Sequence, residues 1–169
     1  SLIAAAIVLI LQLISADSTA RGVAKNQPSK LAAMEGIYVT EPRTPITILG
    51  WTDDAAKKVR GIKIPGLLSF LVFHDFNTPV AGFDQIPKDE RPPIQVVFQS
   101  YHIMIAMWSL IALLFFLACI QYRRKKLTHS KWILRGLVAS VLFPQIANFS
   151  GWMTAEVGRQ PWIVYGILK

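Results

Sequence analysis

VVFQSYHIMIAMWSLIALLFFLACIQ, Val96 to Gln121, is a run of 26 residues without Asp, Glu, Lys or Arg. A helix needs about 20 apolar residues to cross hydrocarbon, so this stretch is long enough to span a bilayer. It ends at once in Arg123, Arg124, Lys125 and Lys126, and residues 132–157 then supply a second run of crossing length. Upstream, Leu2 to Ile14 (LIAAAIVLILQLI) gives 13 largely apolar residues. That is short of a full span, so it is expected to be the tail of a membrane helix that starts earlier in a longer protein. The fold class that follows is an all-α integral membrane protein, a transmembrane helix bundle fragment with one partial and two full spans.

Composition agrees: 53% of the 169 residues are hydrophobic, and they are gathered in runs. The net charge is +8, which by itself would suit a nucleic-acid binder. Its placement argues otherwise. Arg123, Arg124, Lys125, Lys126, Lys131 and Arg135 cluster beside the spans with no acid among them, whereas residues 15–98 hold ten basic and nine acidic residues. Basic charge concentrated in one short loop is the positive-inside pattern, so that loop is expected in the cytoplasm and residues 15–95 on the outer side. The layout is then a helix end at 1–14, an extramembrane loop at 15–95, a span at 96–121 and a basic loop at 122–131. A span at 132–157 and an outer segment at 158–169 complete it. Cys119 is the one cysteine and sits in a span, so no internal disulfide is possible.

Within the long loop, Pro28 and Ser29 mark the start of a short helix, Ser29 as its cap. Pro42 and Pro45 bar its continuation. Thr47 to Trp51 reads equally as a short strand or a loop. Gly66 to Phe73 is apolar but too short to cross, and is expected on the membrane surface or docked into the bundle.

Three groups of residues can carry chemistry. Met104 lies just inside the outer boundary of the first full span, and a thioether is a soft haem ligand. His102 cannot be its opposite ligand, since two positions turn a helix by about 200°. In the next span Gln145, Asn148, Trp152, Glu156 and Arg159 recur at three- and four-residue steps, forming one polar stripe at membrane depth. Such a stripe is either an interhelical hydrogen-bond seam or a cofactor face. A carboxylate can ligate iron and an arginine can hold a propionate. Finally, Lys30 and Glu35 stand five apart on the short loop helix, about 140° from one another.

The strings Ala155-Glu156-Val157-Gly158-Arg159-Gln160-Pro161-Trp162, Ile103-Met104 and Lys30-Leu31-Ala32-Ala33-Met34-Glu35 together resemble the larger subunit of cytochrome bd-type quinol oxidases, in its C-terminal portion. The resemblance implies that Met104 ligates a low-spin haem b and that Glu156 belongs to a high-spin haem b. Trp152 would stand between haems and Arg159 beside one. It makes residues 15–95 a quinol-binding loop, with Lys30 and Glu35 acting in quinol oxidation. Haem d or a third haem b would lie mostly outside this stretch of chain. His102 departs from the family pattern, which has arginine there.

The implied function is oxidation of membrane quinol and reduction of O2 to water in a prokaryotic cytoplasmic membrane. Its expected partners are quinol, O2, a smaller second subunit and the lipid bilayer, with no nucleic acid. Proton motive force would arise without pumping, from release of quinol protons outside and uptake for water inside. The alternative is a haem-free transport or structural subunit whose polar stripe lines a path.

Overall fold

The computed structural model describes residues 2–169, with side chains from Ala4 onward; Ser1, at the head of the expected 1–14 span, lies outside the described residues. Its long member is α4, Ile94–Arg123. Pro92 and Pro93 hold the chain extended before it, and Pro93 serves as its N-cap, where a missing N–H costs nothing. The helix ends at the basic turn, where Lys125 takes a left-handed conformation (φ 55°).

The returning crossing is built in two pieces, α5 (Lys131–Ala139) and α6 (Phe143–Val157), joined by one 3-10 turn at Ser140–Leu142. Pro144 explains the change of winding: it has no N–H to give the Ser140 carbonyl, and its ring crowds that carbonyl. The whole stretch, Lys131–Val157, still has crossing length at 27 residues. It runs antiparallel to α4, as three close approaches show. Leu114 meets Gly136, Met104 meets Gly151, and the Ser100 and Thr154 hydroxyls are 2.8 Å apart.

The first helix, α1, runs from Leu2 to Asn26, well past the apolar tail expected to end at Ile14. Asp17 and Arg21, one turn apart on its polar half, form an ion pair, and Arg21 also reaches His74 at 2.6 Å. Among the described residues, three helices are therefore long and apolar enough to cross a membrane. At Asn26 the chain breaks and restarts as α2, Pro28–Glu35. Gln27 takes the N-cap position and Pro28 the first helical one, so Ser29 is buried inside the helix instead of capping it. Proline is already set for the first turn, and a side-chain cap adds little to it.

The loop also contains a small sheet that an all-helical reading does not include. Strands β1 (Ile46–Asp53) and β2 (Lys58–Ile64) pair antiparallel, with a bulge between Thr47 and Leu49. Thr47 to Trp51 is the middle of β1. After β2, the short apolar run forms α3, Leu67–Phe73, which docks on α1 and buries Leu68, Ser69 and Val72. Leu31, Ala32 and Met34 of α2 meet Leu68, Val72, Phe83 and Val97 in one cluster. The loop is thereby packed onto the first turns of α4.

Candidate functional site

Glu35 is the last residue of α2, and Gly36 terminates the helix with a left-handed φ of 66°. Only glycine takes that conformation without cost. It is also needed sterically, because a Cβ at Gly36 would stand 2.4 Å from Val59 Cγ2 of the hairpin. The hairpin therefore closes over the end of α2 and leaves the Glu35 side chain only 3% exposed. Burial disfavours the charged carboxylate and lifts its pKa to about 7. The Tyr101 hydroxyl on α4 and the Thr47 N–H on β1 face the carboxylate and pull the other way. Oε2 has no partner among the described residues. The residue contributes to the wall of a cleft of about 280 Å³ that Tyr38, Thr47, Lys57, Lys58 and Lys63 also line.

Lys30 goes elsewhere. Its Nζ donates to the Ala155 carbonyl at 3.1 Å, and its stem lies over Gly158, where a Cβ would be 3.0 Å from Cγ. Burial lowers its pKa, Arg159 lowers it further, and Glu156 works against both. The structure thus does not bring Lys30 and Glu35 together: they leave opposite sides of α2, one toward α6 and one toward the hairpin.

At the C-terminal end of α6, Glu156 Oε2 and the Nη2 of Arg159, just beyond the helix, are 2.6 Å apart in a partly exposed ion pair. Gln145, Asn148, Trp152 and Glu156 are all exposed. The seam with α4 runs along another face, where Ser150 and Thr154 are buried one turn apart, Gly151 lies against Met104, and Gly158 one turn on takes the stem of Lys30. Small residues at that spacing let membrane helices approach closely, and this pattern is the signal that locates the seam. Ser100 and Thr154 supply its hydrogen bond. Ser100, Tyr101, Ser150 and Thr154 carry no marked signal in the sequence, because each is small or ordinary for a membrane helix.

Met104 is half-buried, with its sulfur over Gly151, where a Cβ would come within 2.9 Å. His102 is stacked on Phe98, its ring nitrogens 2.8 Å from the Phe98 carbonyl and 2.9 Å from the Thr47 carbonyl. The residue in the family's arginine position is therefore used to fasten β1 to α4.

These residues fit haem. A soft thioether free of polar partners stands on α4. On the open face of α6, a carboxylate with one oxygen not taken by Arg159 stands one turn from an exposed indole. All of them lie toward one end of the bundle, within the stretch where Ser100 faces Thr154 and Met104 faces Gly151.

Residues 1–169 match the family described as cytochrome bd terminal oxidase subunit I. The chain belongs to that family. It is 33% identical over 170 residues to the cytochrome bd ubiquinol oxidase subunit 1 of Bacillus subtilis (strain 168), covering 92% of this chain and 36% of the relative. It is 29% identical over 230 residues to the cytochrome bd-II ubiquinol oxidase subunit 1 of Escherichia coli (strain K12), covering 96% of this chain and 44% of the relative. The bd oxidase structure from Geobacillus thermodenitrificans superimposes with a TM-score of 0.80 at 30% identity, over 96% of this chain and 38% of the other. The chain thus spans well under half the length of the relatives it matches, and shares their mostly helical membrane architecture.

Proposed function

We propose that this chain is the part of a haem-containing quinol oxidase subunit that accepts quinol protons and holds two haems b. The observation that carries this reading is Glu35, a carboxyl group almost wholly buried in the wall of a cleft, with one oxygen unpartnered among the described residues. A quinol gives up two protons with its two electrons, and a base titrating near 7 is suited to accept one of them at neutral pH. Tyr101 and Thr47 hold the carboxylate in place while it is charged. The lysines of the hairpin, Lys57, Lys58 and Lys63, line the same cleft.

Haem, when bound, supplies one-electron transfer and, at the oxygen-reducing centre, the conversion of O2 to water. Met104 would hold the low-spin haem b, with its second ligand from residues outside this chain. Glu156 would hold the high-spin haem b, with Arg159 on a propionate and Trp152 beside it. Haem d or a third haem b belongs mostly to the rest of the subunit, and a smaller second subunit completes the enzyme.

Glu35, Lys30, Met104 and Glu156 lie toward the end of the bundle opposite the Arg123–Lys126 turn. With that turn on the cytoplasmic side of a prokaryotic membrane, residues 15–95 face outward. Protons taken by Glu35 leave on that side, and protons for water enter from the other. This asymmetry generates proton motive force without a pump.

The test is Glu35→Gln in the complete oxidase. Quinol oxidation is expected to fall by about 100-fold, the range for loss of a general base, with haem absorption unchanged. In the wild type, activity should rise with pH through about 7 as Glu35 ionises, and the variant should lack that limb. A variant that loses all haem, or keeps its quinol oxidation, would end the assignment of Glu35 as the base. A full-length protein free of haem would end the whole reading.

A further inference from the structure

The environment of Lys30 points to a role on the haem side of the molecule. Ala155 lies in the last turn of α6, and its carbonyl receives no backbone N–H from further along among the described residues, unlike Thr154, which receives Gly158 N–H. Lys30 supplies a donor, from a helix 125 residues away in sequence. It also brings positive charge to a helix C-terminus, where the backbone dipole favours it. The contact is made next to Glu156, which is itself held by Arg159 at 2.6 Å. Gly158 leaves the space through which the Lys30 stem passes. The origin of the lysine is fixed as well, since six of the eight residues of α2 are buried. The quinol-side cleft opens at the other end of the same helix.

We propose that Lys30 is a positioning residue for Glu156, fixing the end of α6 from which that carboxylate projects. Its effect on quinol oxidation then runs through the high-spin haem site and not through contact with a quinol oxygen. This inference rests on the reading of Glu156 as a haem residue. Partners that orient a ligating side chain typically change affinity by about 10- to 100-fold when removed.

The experiment is Lys30→Met in the complete oxidase, since methionine keeps the stem length and removes the ammonium. Retention of the high-spin haem is expected to weaken by about tenfold, with the low-spin band and the KM for quinol close to wild type. Independently of haem, amide exchange of residues 156–160 should speed up in the variant, while residues 31–36 keep their protection. Lys30→Arg keeps a cation on a longer stem and should recover most of both signals. It also replaces the methionine variant should that one fail to assemble, and is then expected to show a smaller change in the same two signals. A raised quinol KM with unchanged high-spin spectrum and unchanged exchange overturns the proposal. A wild-type protein without haem would instead defeat the functional reading above, and the exchange comparison would still decide whether Lys30 fixes the end of α6.

Discussion

The two faces of α6 carry polar residues at the same membrane depth and use them differently. One face presents Ser150, Thr154 and Gly158, all buried against neighbouring helices. The other presents Gln145, Asn148, Trp152 and Glu156, all exposed in this chain. Small hydroxyls can be satisfied within the bundle: Thr154 donates to its own Ser150 carbonyl at 2.9 Å and pairs with Ser100 at 2.8 Å. Larger amides and a carboxylate at that depth need a partner of their own, because hydrocarbon gives them none. The buried face therefore reads as packing, and the open face as the side on which the rest of the subunit and its haem are expected.

The sharpest way to break this distinction is Glu156→Gln in the complete oxidase. If the open face serves haem, the high-spin haem should be lost by a factor on the order of ten or more. Helix packing should be unaffected, as judged by the thermal midpoint and the low-spin band. A thermal midpoint that drops while the high-spin haem stays would make Glu156 a packing residue. Gly151→Val tests the buried face. A Cβ there would press on the Met104 sulfur from 2.9 Å, and overpacking of this kind costs about 1–3 kcal/mol. A lower thermal midpoint and a displaced low-spin band are expected, with the high-spin band spared. Unchanged stability would mean that α4 and α6 are not pressed together at Met104.

How much of this could be read in advance depends on the kind of signal. The spans, their antiparallel return and the basic turn follow from long apolar runs and charge placement, which local sequence reports directly. The strip from Ala155 to Trp162 identified the family because it is specific in residue type and spacing. The hairpin is half hidden: Val59, Ile62 and Ile64 keep part of a strand alternation, but Lys58, Arg60, Gly61 and Lys63 make most of β2 charged or loop-like in composition. The destination of Lys30 was not legible at all. Helical spacing placed it about 140° from Glu35, but only tertiary packing shows that α6 waits on that side. The Ser150–Thr154 seam is faint in the sequence for a related reason. Large polar residues dominate the pattern of this helix, whereas close packing in a membrane is carried by the small ones.

The smallest effect is expected from the Ser100–Thr154 pair, and it is the most discriminating for the buried face. Both residues are buried, at 5% and 4% exposure, so water cannot replace a lost partner. Even so, interhelical hydrogen bonds in membranes average only about 0.6 kcal/mol in double-mutant cycles, because the separated helices find other partners. Thr154 retains such a partner in the Ser150 carbonyl. Ser100 likewise retains the Val97 carbonyl at 3.1 Å. A cycle of Ser100→Ala and Thr154→Val should thus give a coupling of about half a kcal/mol in stability, with both haem spectra unchanged. A coupling of several kcal/mol would mean that the hydroxyls, and not close approach of small residues, hold the two spans together. A change in the high-spin spectrum would mean that the two faces of α6 are not independent, and the separation of packing from chemistry on this helix would fail.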